Sequence, residues 1–297
     1  MLEPIETKDF SWDTQLNFSK NNNKVLELAP GVNKYELGGA AELKVYAVQG
    51  GNYGEIWGTK FMRVTDENSP YYGKLLLNEA GLPQSTGVSE KIGDQQADCM
   101  LGWNNSFRYK NFALSFQIDG RLGGDIYSYT NYALQIAGRA ECTAPGGMRE
   151  DFVVDGVIRQ QDGSYAPSTI KVSQQDYWQA IGTGNTGIGE ANIYDATNIR
   201  LRNIALNYSF PSSMLKKTIF QQLKLGFSIN NVWMIYSDMN GIDPEAVFIT
   251  NTNATGFENC ASPTSRSYLF NVTLVSNQKN GYYMKTINNL FLGVRPD

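Results

Sequence analysis

Residues Arg200–Pro211, RLRNIALNYSFP, narrow the possible folds more than any other stretch. From Asn203 onward one parity carries Ile204, Leu206, Tyr208 and Phe210, and the other carries Asn203, Ala205, Asn207 and Ser209. Alternation with period two predicts a β-strand with one apolar and one polar face. In a soluble sandwich the apolar face would enter a packed core. In a membrane barrel it would meet lipid, and the polar face would line the interior.

The pattern recurs along the chain. Phe10, Trp12, Leu16 and Phe18 share a parity, as do Trp103, Phe107 and Tyr109. Phe112, Leu114, Phe116 and Ile118 follow on the other parity, so a two-residue turn at Lys110-Asn111 would reset the register of an antiparallel hairpin. Leu223, Leu225, Phe227 and Ile229 make a further stripe opposite Lys224, Gly226, Ser228 and Asn230. The last is Tyr268, Phe270, Val272 and Leu274, opposed by Ser267, Asn271 and Thr273, with Leu269 breaking the polar side. Between the stripes run segments rich in Gly, Asn, Asp, Ser and Pro, the longest from Tyr127 to Asp195 and the next from Asp238 to Arg266. Such loops are uncommon in compact soluble domains. They are ordinary on the outer side of bacterial barrels, where short turns alternate with long loops.

Composition tilts the choice the same way. Only 18% of residues are charged and 12% are aromatic. The polar parities hold mostly Asn, Ser, Gln, Gly and Ala, whereas Lys and Glu usually guard exposed sheets in soluble proteins. No run of eighteen apolar residues exists, which excludes a membrane helix, but a barrel strand needs only about 9–11 residues. The expected fold is all-β, an antiparallel transmembrane β-barrel segment with long extracellular loops. The rival is a secreted carbohydrate-binding β-sandwich.

Catalysis is not expected. The chain has no His, which removes the commonest general base and metal ligand, and with them the usual serine-nucleophile arrangement. The net charge of −4 is scattered, with no basic stripe for nucleic acid. The glycines of AIGTGNTGIGE, Ala180–Glu190, do not match a phosphate loop. Cys99, Cys142 and Cys260 read as free thiols, with a Cys142–Cys260 bridge as the alternative. No cofactor is expected.

Several longer words occur in order: FRYKNFALSFQIDGRLGGDIYS (Phe107–Ser128), YDATNIRLRNIALNYSFP (Tyr194–Pro211), FSINNVWMIYSDMNGIDPE (Phe227–Glu245) and SPTSRSYLFNVTL (Ser262–Leu274), preceded by YGEIWGTKF (Tyr53–Phe61) and LLLNEAGLPQ (Leu75–Gln84). Together, across most of residues 10 to 275, they resemble the closing part of the SusC/RagA family of TonB-dependent outer-membrane transporters. The resemblance implies a plugged barrel of about twenty-two strands that imports oligosaccharides or peptides in the outer membrane of a Gram-negative bacterium. It further implies a SusD-like surface lipoprotein as partner and energy from the TonB complex. Residues 1–275 then read as a C-terminal barrel portion of about eight to ten strands, a fragment without leader, TonB box or plug. Residues 276–297 read as a non-barrel tail, because Met284-Lys285 and the apolar stretch after them resemble the opening of a secretory leader. That similarity suggests read-through into a downstream gene, which sequencing of the underlying DNA would decide.

Candidate substrate-binding residues, on the lumen wall or in the loops, are Arg121, Asp125, Asn203, Asn207, Asn230 and Asp243. Lys224, Ser228 and Asn271 are further lumen candidates. Around Arg121 and Asp125, Gly123-Gly124 are expected to shape a turn whose backbone amides Asp125 caps. Asp243 and Glu245 in GIDPE could serve calcium, but two carboxylates are weak evidence, and a rigid turn is the better reading. Arg200 and Arg202 share the parity of Ile204, so a straight strand would aim them at lipid. They are therefore expected at a membrane boundary. Trp103, Tyr208, Phe210, Trp233, Tyr236 and Tyr268 are expected as interface aromatics or barrel packing.

Overall fold

The computed structural model describes residues 2–239, 241–247, 253–278 and 281–295, with residues from 277 on described by their backbone. Eight strands form one antiparallel sheet in which neighbours in sequence are neighbours in space. They are β1 (Leu2–Glu6), β2 (Phe10–Ser19), β3 (Cys99–Tyr109), β4 (Phe112–Leu122), β5 (Asn198–Ser209), β6 (Phe220–Ser237), β7 (Arg266–Gln278) and β8 (Gly281–Arg295). Up-and-down connectivity of this kind is that of a barrel wall. At one end the links are short, as at Lys110-Asn111, where Tyr109 pairs with Phe112 and Lys110 takes φ +50°. At the other end the chain makes its three long excursions, 20–98, 123–197 and 238–265.

The pairing register turns each expected stripe into a row across the sheet. Phe10, Tyr109, Phe112, Tyr208, Leu225 and Val272 lie in one row, and Trp12, Phe107, Leu114, Leu206, Phe227 and Phe270 in the next. Leu16, Trp103, Ile118, Leu201 and Trp233 form a row nearer the long loops. The intervening rows are polar: Gln15, Asn104, Gln117, Asn203, Asn230 and Ser267 make one of them. Leu269 lies in a polar row, opposite Ser228.

Among the described residues no second layer covers the apolar face. Leu16 is 75% exposed, Phe18 67%, Trp233 60% and Leu206 46%. Aromatics stand at both ends of it, Tyr109, Phe112, Tyr208 and Phe210 beside the short turns and Trp103, Trp233 and Tyr236 toward the loops, and between them, as Trp12, Phe107, Phe116 and Phe227. Two indole N–H groups on it are paired: Trp12 donates to Asn105 Oδ1 at 3.1 Å and Trp103 to Thr14 Oγ1 at 3.0 Å. Burying an indole N–H without an acceptor would carry a desolvation penalty.

One bulge corrects the expectation for the arginines. The pairing of β5 with both neighbours shifts between Leu201 and Asn203; against β4, where Leu201 faces Ile118 and Asn203 faces Gln117, Arg202 is the extra residue. A single inserted residue reverses parity beyond it. Leu201 and Ile199 therefore continue the apolar face of Ile204, while Arg200 lies in a polar row opposite Asp119. Arg202 also reaches that side, its Nε 2.9 Å from Asp119 Oδ2. Neither guanidinium lies on the apolar face.

The backbone also departs from the expected tail at 276–297. Gly281–Arg295 pairs antiparallel with β7, from Gln278↔Gly281 to Arg266↔Arg295. The edge of β7 offers unpaired N–H and C=O groups, which an extended segment after a tight connection can satisfy. Residues 296 and 297 lie outside the described residues.

The long excursions are folded rather than irregular. The first carries a four-stranded antiparallel sheet of Lys34–Ala40, Leu43–Val48, Tyr53–Gly58 and Glu90–Asp94. The second carries two helices, α1 (Tyr129–Ile136) and α2 (Gln174–Ile181). Their shared core joins Leu43, Val45 and Ile56 to Tyr127, Tyr132 and Phe257, with the Tyr127 and Phe257 rings stacked at 5.7 Å. Glu258 from the third excursion is almost fully buried, accepting hydrogen bonds from Ser128 Oγ (2.8 Å) and the Thr130 backbone N–H (3.2 Å) at the start of α1. That placement suits the positive end of the helix dipole. All three cysteines are free, so the alternative Cys142–Cys260 bridge is not formed.

Candidate functional site at the rim of the polar wall

The polar face ends beneath the long loops in a belt of charge. A cleft of about 370 Å³ there brings together Asn17, Asp119, Arg121, Asn198, Arg202 and Glu245. Arg121 pairs with Asn198 in register, and Arg200 with Asp119, so the β4–β5 pairing sets the belt.

GIDPE closes it from above. Asp243 forms an ion pair with Arg200, both side chains being less than a tenth exposed. Asp243 also accepts from Thr264 Oγ1 at 2.7 Å, Thr264 N at 3.0 Å and Glu245 N at 2.9 Å. Glu245 holds Arg202, with Nη1 to Oε2 at 2.7 Å. Arg200 Nε donates to Asn198 Oδ1 at 3.1 Å. Burial alone would push the Asp243 carboxyl up, but the hydrogen bonds from Arg200 and Thr264 prevail and hold it well below the ordinary carboxylate range. The turn expected at GIDPE is thus also a clasp, and the arginines take the carboxylates that calcium would need.

A second cleft, about 530 Å³, opens between loop bases and is lined mainly by Asn and Asp side chains, among them Asn21, Asn23, Asp94, Asp98, Asp125 and Asp195. Its carboxylates are largely engaged by nearby amides. Asp125 Oδ2 accepts from Asp94 N at 2.8 Å, and Asp195 Oδ1 from Thr197 N at 2.7 Å. Burial raises the Asp125 carboxyl, and the Asp94 amide partly offsets it. Arg121 donates through Nη2 to the Gln95 carbonyl at 2.9 Å. Gly124 has φ +81°, and a Cβ there would lie 3.0 Å from the Gln96 carbonyl and 3.1 Å from the Ala97 nitrogen. Gly124→Ala is therefore expected to destabilise this loop junction by about 1–2 kcal/mol. The effect should be read as faster amide exchange over residues 94–98; unchanged exchange would refute it.

The six sequence candidates thus fall into three groups. Arg121 and Asp125 sit at the loop junction, and Asp243 in the clasp. Asn203 and Asn230 meet on the wall, with Asn203 Nδ2 donating to Asn230 Oδ1 at 2.7 Å and Asn230 Nδ2 to Ser267 Oγ at 3.1 Å. Asn207 lies farther down the same face, paired with Gly226. Sequence reasoning missed Asp119 and the role of Glu245. Their only signal was acidic residues close to the strand that carries Arg200 and Arg202.

No family model matches the chain. The TonB-dependent receptor P3 of Formosa agariphila is 29% identical over 271 residues, spanning 84% of this chain and 24% of that protein. The TonB-dependent receptor SusC of Bacteroides thetaiotaomicron is 22% identical over 259 residues, spanning 82% of this chain and 23% of that protein. The chain thus spans about a quarter of the length of the curated relatives it matches. In fold it resembles a chain of the RagAB peptide importer in the open-open state, with a TM-score of 0.58 and 14% identity over 92% of this chain and 27% of that one. The chain is a homologue of the TonB-dependent receptors, SusC among them, built on an all-β antiparallel fold that it shares with a RagAB transporter chain.

Proposed function

We propose that the chain forms part of the wall and outer loops of a SusC-like TonB-dependent transporter, which imports oligosaccharides or peptides across the outer membrane. The observation that carries this reading is the single sheet whose apolar face is uncovered, whose other face is polar, and whose long loops leave from one end only. Contiguous exposed apolar surface of this extent calls for a membrane or partner, and lipid outside with polar groups inside is the solution that barrels use. The rival sandwich needs a second sheet over that face, and among the described residues the smaller sheets belong to the loop excursions instead.

In this reading residues 1–275, with the strand Gly281–Arg295 that pairs along β7, are a C-terminal barrel portion. A plug and a TonB-contacting segment belong to the rest of the transporter, and a SusD-like lipoprotein caps the folded loops. Asn203, Asn207 and Asn230 face the plug or the passing substrate, and Arg121, Asp125 and Asp243 shape the mouth. No step of catalysis is assigned.

Deleting the gene that carries the chain should abolish growth on one class of oligosaccharide or peptide. Restoring the gene should rescue that growth only where TonB is functional, and the protein should fractionate with outer membranes. A protein released without detergent, together with unchanged growth on all such substrates, would sink the proposal.

A further inference from the structure

The wall forks at its loop end. β6 runs on to Ser237 but β7 begins only at Arg266, and their ladder stops at Asn230↔Ser267. Asn231, in the left-handed region at φ +50°, stands at that point. Two bonds close the base of the fork: Asn231 Nδ2 donates to the Ser265 carbonyl at 2.8 Å, and Arg266 Nε to the Asn231 carbonyl at 3.3 Å. Above them, residues 232–237 keep β5 on one side, from Leu201↔Trp233 to Asn198↔Ser237. On the other side nothing among the described residues hydrogen-bonds to their backbone. Alternate residues of a strand turn N–H and C=O to the same side, so this stretch is a free sheet edge inside the wall.

The edge is open to a ligand. Its Trp233, Ile235 and Tyr236 side chains are exposed, and a groove of about 310 Å³ lies alongside, between the strand and the GIDPE clasp. Met234, Ile242 and Pro263 are among its apolar lining. Its charged groups are engaged, Arg200 with Asp243 and Arg266 with the Asn231 carbonyl. What stays unpaired is a donor and an acceptor about every 6.6 Å along the strand. A second extended main chain matches that repeat, whereas the hydroxyls that surround each ring of a sugar do not. The groove is at the ~300 Å³ lower end of ligand pockets, room for a side chain or two rather than a whole ligand.

We propose that residues 232–237 of β6 are a docking edge for an extended peptide, which adds as a strand and places an apolar side chain in the groove beside Met234. Strand addition takes its affinity from main-chain hydrogen bonds and its selectivity from pockets for alternate side chains. The edge lies at the end from which the long loops leave, so the peptide is assigned as cargo. That assignment rests on the import reading and selects peptides over oligosaccharides.

The test is calorimetric titration of the whole transporter in detergent with acetyl-Thr-Val-Thr-Val-Thr-Val-amide, and with maltohexaose as the contrast. The peptide is expected to bind and the sugar not. Methylating every peptide nitrogen should weaken binding roughly tenfold or more, because no N–H is left to meet the edge. Methylating alternate nitrogens leaves one edge of the peptide intact, so at least one of the two such forms should bind within about threefold of the parent. On the protein, Ile235→Pro is the matching change. Ile235 is the unpaired residue where the β5 pairing shifts between Arg200↔Met234 and Ile199↔Tyr236, so proline spares that ladder and blocks strand addition. Affinity should fall roughly tenfold with amide exchange across β5 unchanged. Met234→Ala trims the groove without touching the backbone, and should weaken binding severalfold even if the proline variant fails to fold. The docking edge is overturned if the peptide does not bind, if maltohexaose alone binds, if the fully methylated peptide binds as well as the parent, or if both variants bind undiminished. Uptake by cells carrying the transporter separates the two readings. Binding without uptake of the same peptide defeats its assignment as cargo and leaves the edge standing; peptide uptake with binding indifferent to Ile235→Pro and Met234→Ala defeats the edge and leaves import standing.

Discussion

Arg200→Ala is expected to destabilise the clasp over residues 238–265 by about 3–5 kcal/mol, because it leaves a buried carboxylate without its partner. Asp243 and Arg200 are both less than a tenth exposed, and Asp243 already accepts from Thr264 and Glu245, so neither group can turn to water. The loss should be local. The wall strands keep their pairing on both sides of Arg200, so limited proteolysis should cut within 238–265 while the remaining sheet stays protected. A Coulombic origin predicts that Arg200→Met combined with Asp243→Leu recovers much of the loss, since both charges leave together. The pH dependence has a definite sign. The Asp243 carboxyl is held below its ordinary value, so its contribution is fully present above the unfolded value of about 3.9 and fades only as pH falls through the lower folded one. The clasp should therefore resist proteolysis unchanged from neutrality to about pH 4. Equal protection of the alanine variant and the parent at pH 7 would refute the clasp.

The wall was legible in the sequence because period-two alternation survives any tertiary context that keeps a face apolar. The turn at Lys110-Asn111, the stripes of Phe112–Ile118 and Tyr268–Leu274, and Leu269 as the intruder all appear in the register. The bulge at Arg202 was not legible. One inserted residue has no compositional mark, and reading parity straight through it put Arg200 and Arg202 on the wrong face. A clue lay in the strand itself, since Leu201 and Ile199 are as apolar as Ile204 and sit on the opposite parity. The folded loops escaped for a different reason. Their core joins Leu43 and Ile56 to Tyr127 and Phe257, across separations that no local period encodes. The candidate site divides along the same line. Asn203 and Asn230 followed from alternation, whereas the partnership of Asp243 with Arg200 is a contact between a loop and a strand 43 residues apart.

Leu206→Arg should cost about 2–4 kcal/mol when the chain is folded in a bilayer, and Asn207→Arg, one residue further along the same strand, should cost close to nothing. Leu206 is flanked in register by Leu114 and Phe227 on the uncovered face, and 46% of it is open. In water, an arginine at so exposed a position would be tolerated within about 0.5 kcal/mol. In hydrocarbon it must be desolvated or must drag water and headgroups inward. Asn207 points to the polar side between Ala113 and Gly226, where an added guanidinium meets water or neighbouring polar groups. The contrast between adjacent positions cancels any general effect of adding charge to β5, so the difference reports the medium that each face meets. Urea titration of the folded fraction in lipid vesicles measures it. A large cost at Leu206 and none at Asn207 fixes the apolar face as the lipid face. Equal tolerance at both would mean that water reaches the apolar rows, and the barrel assignment would fall with them.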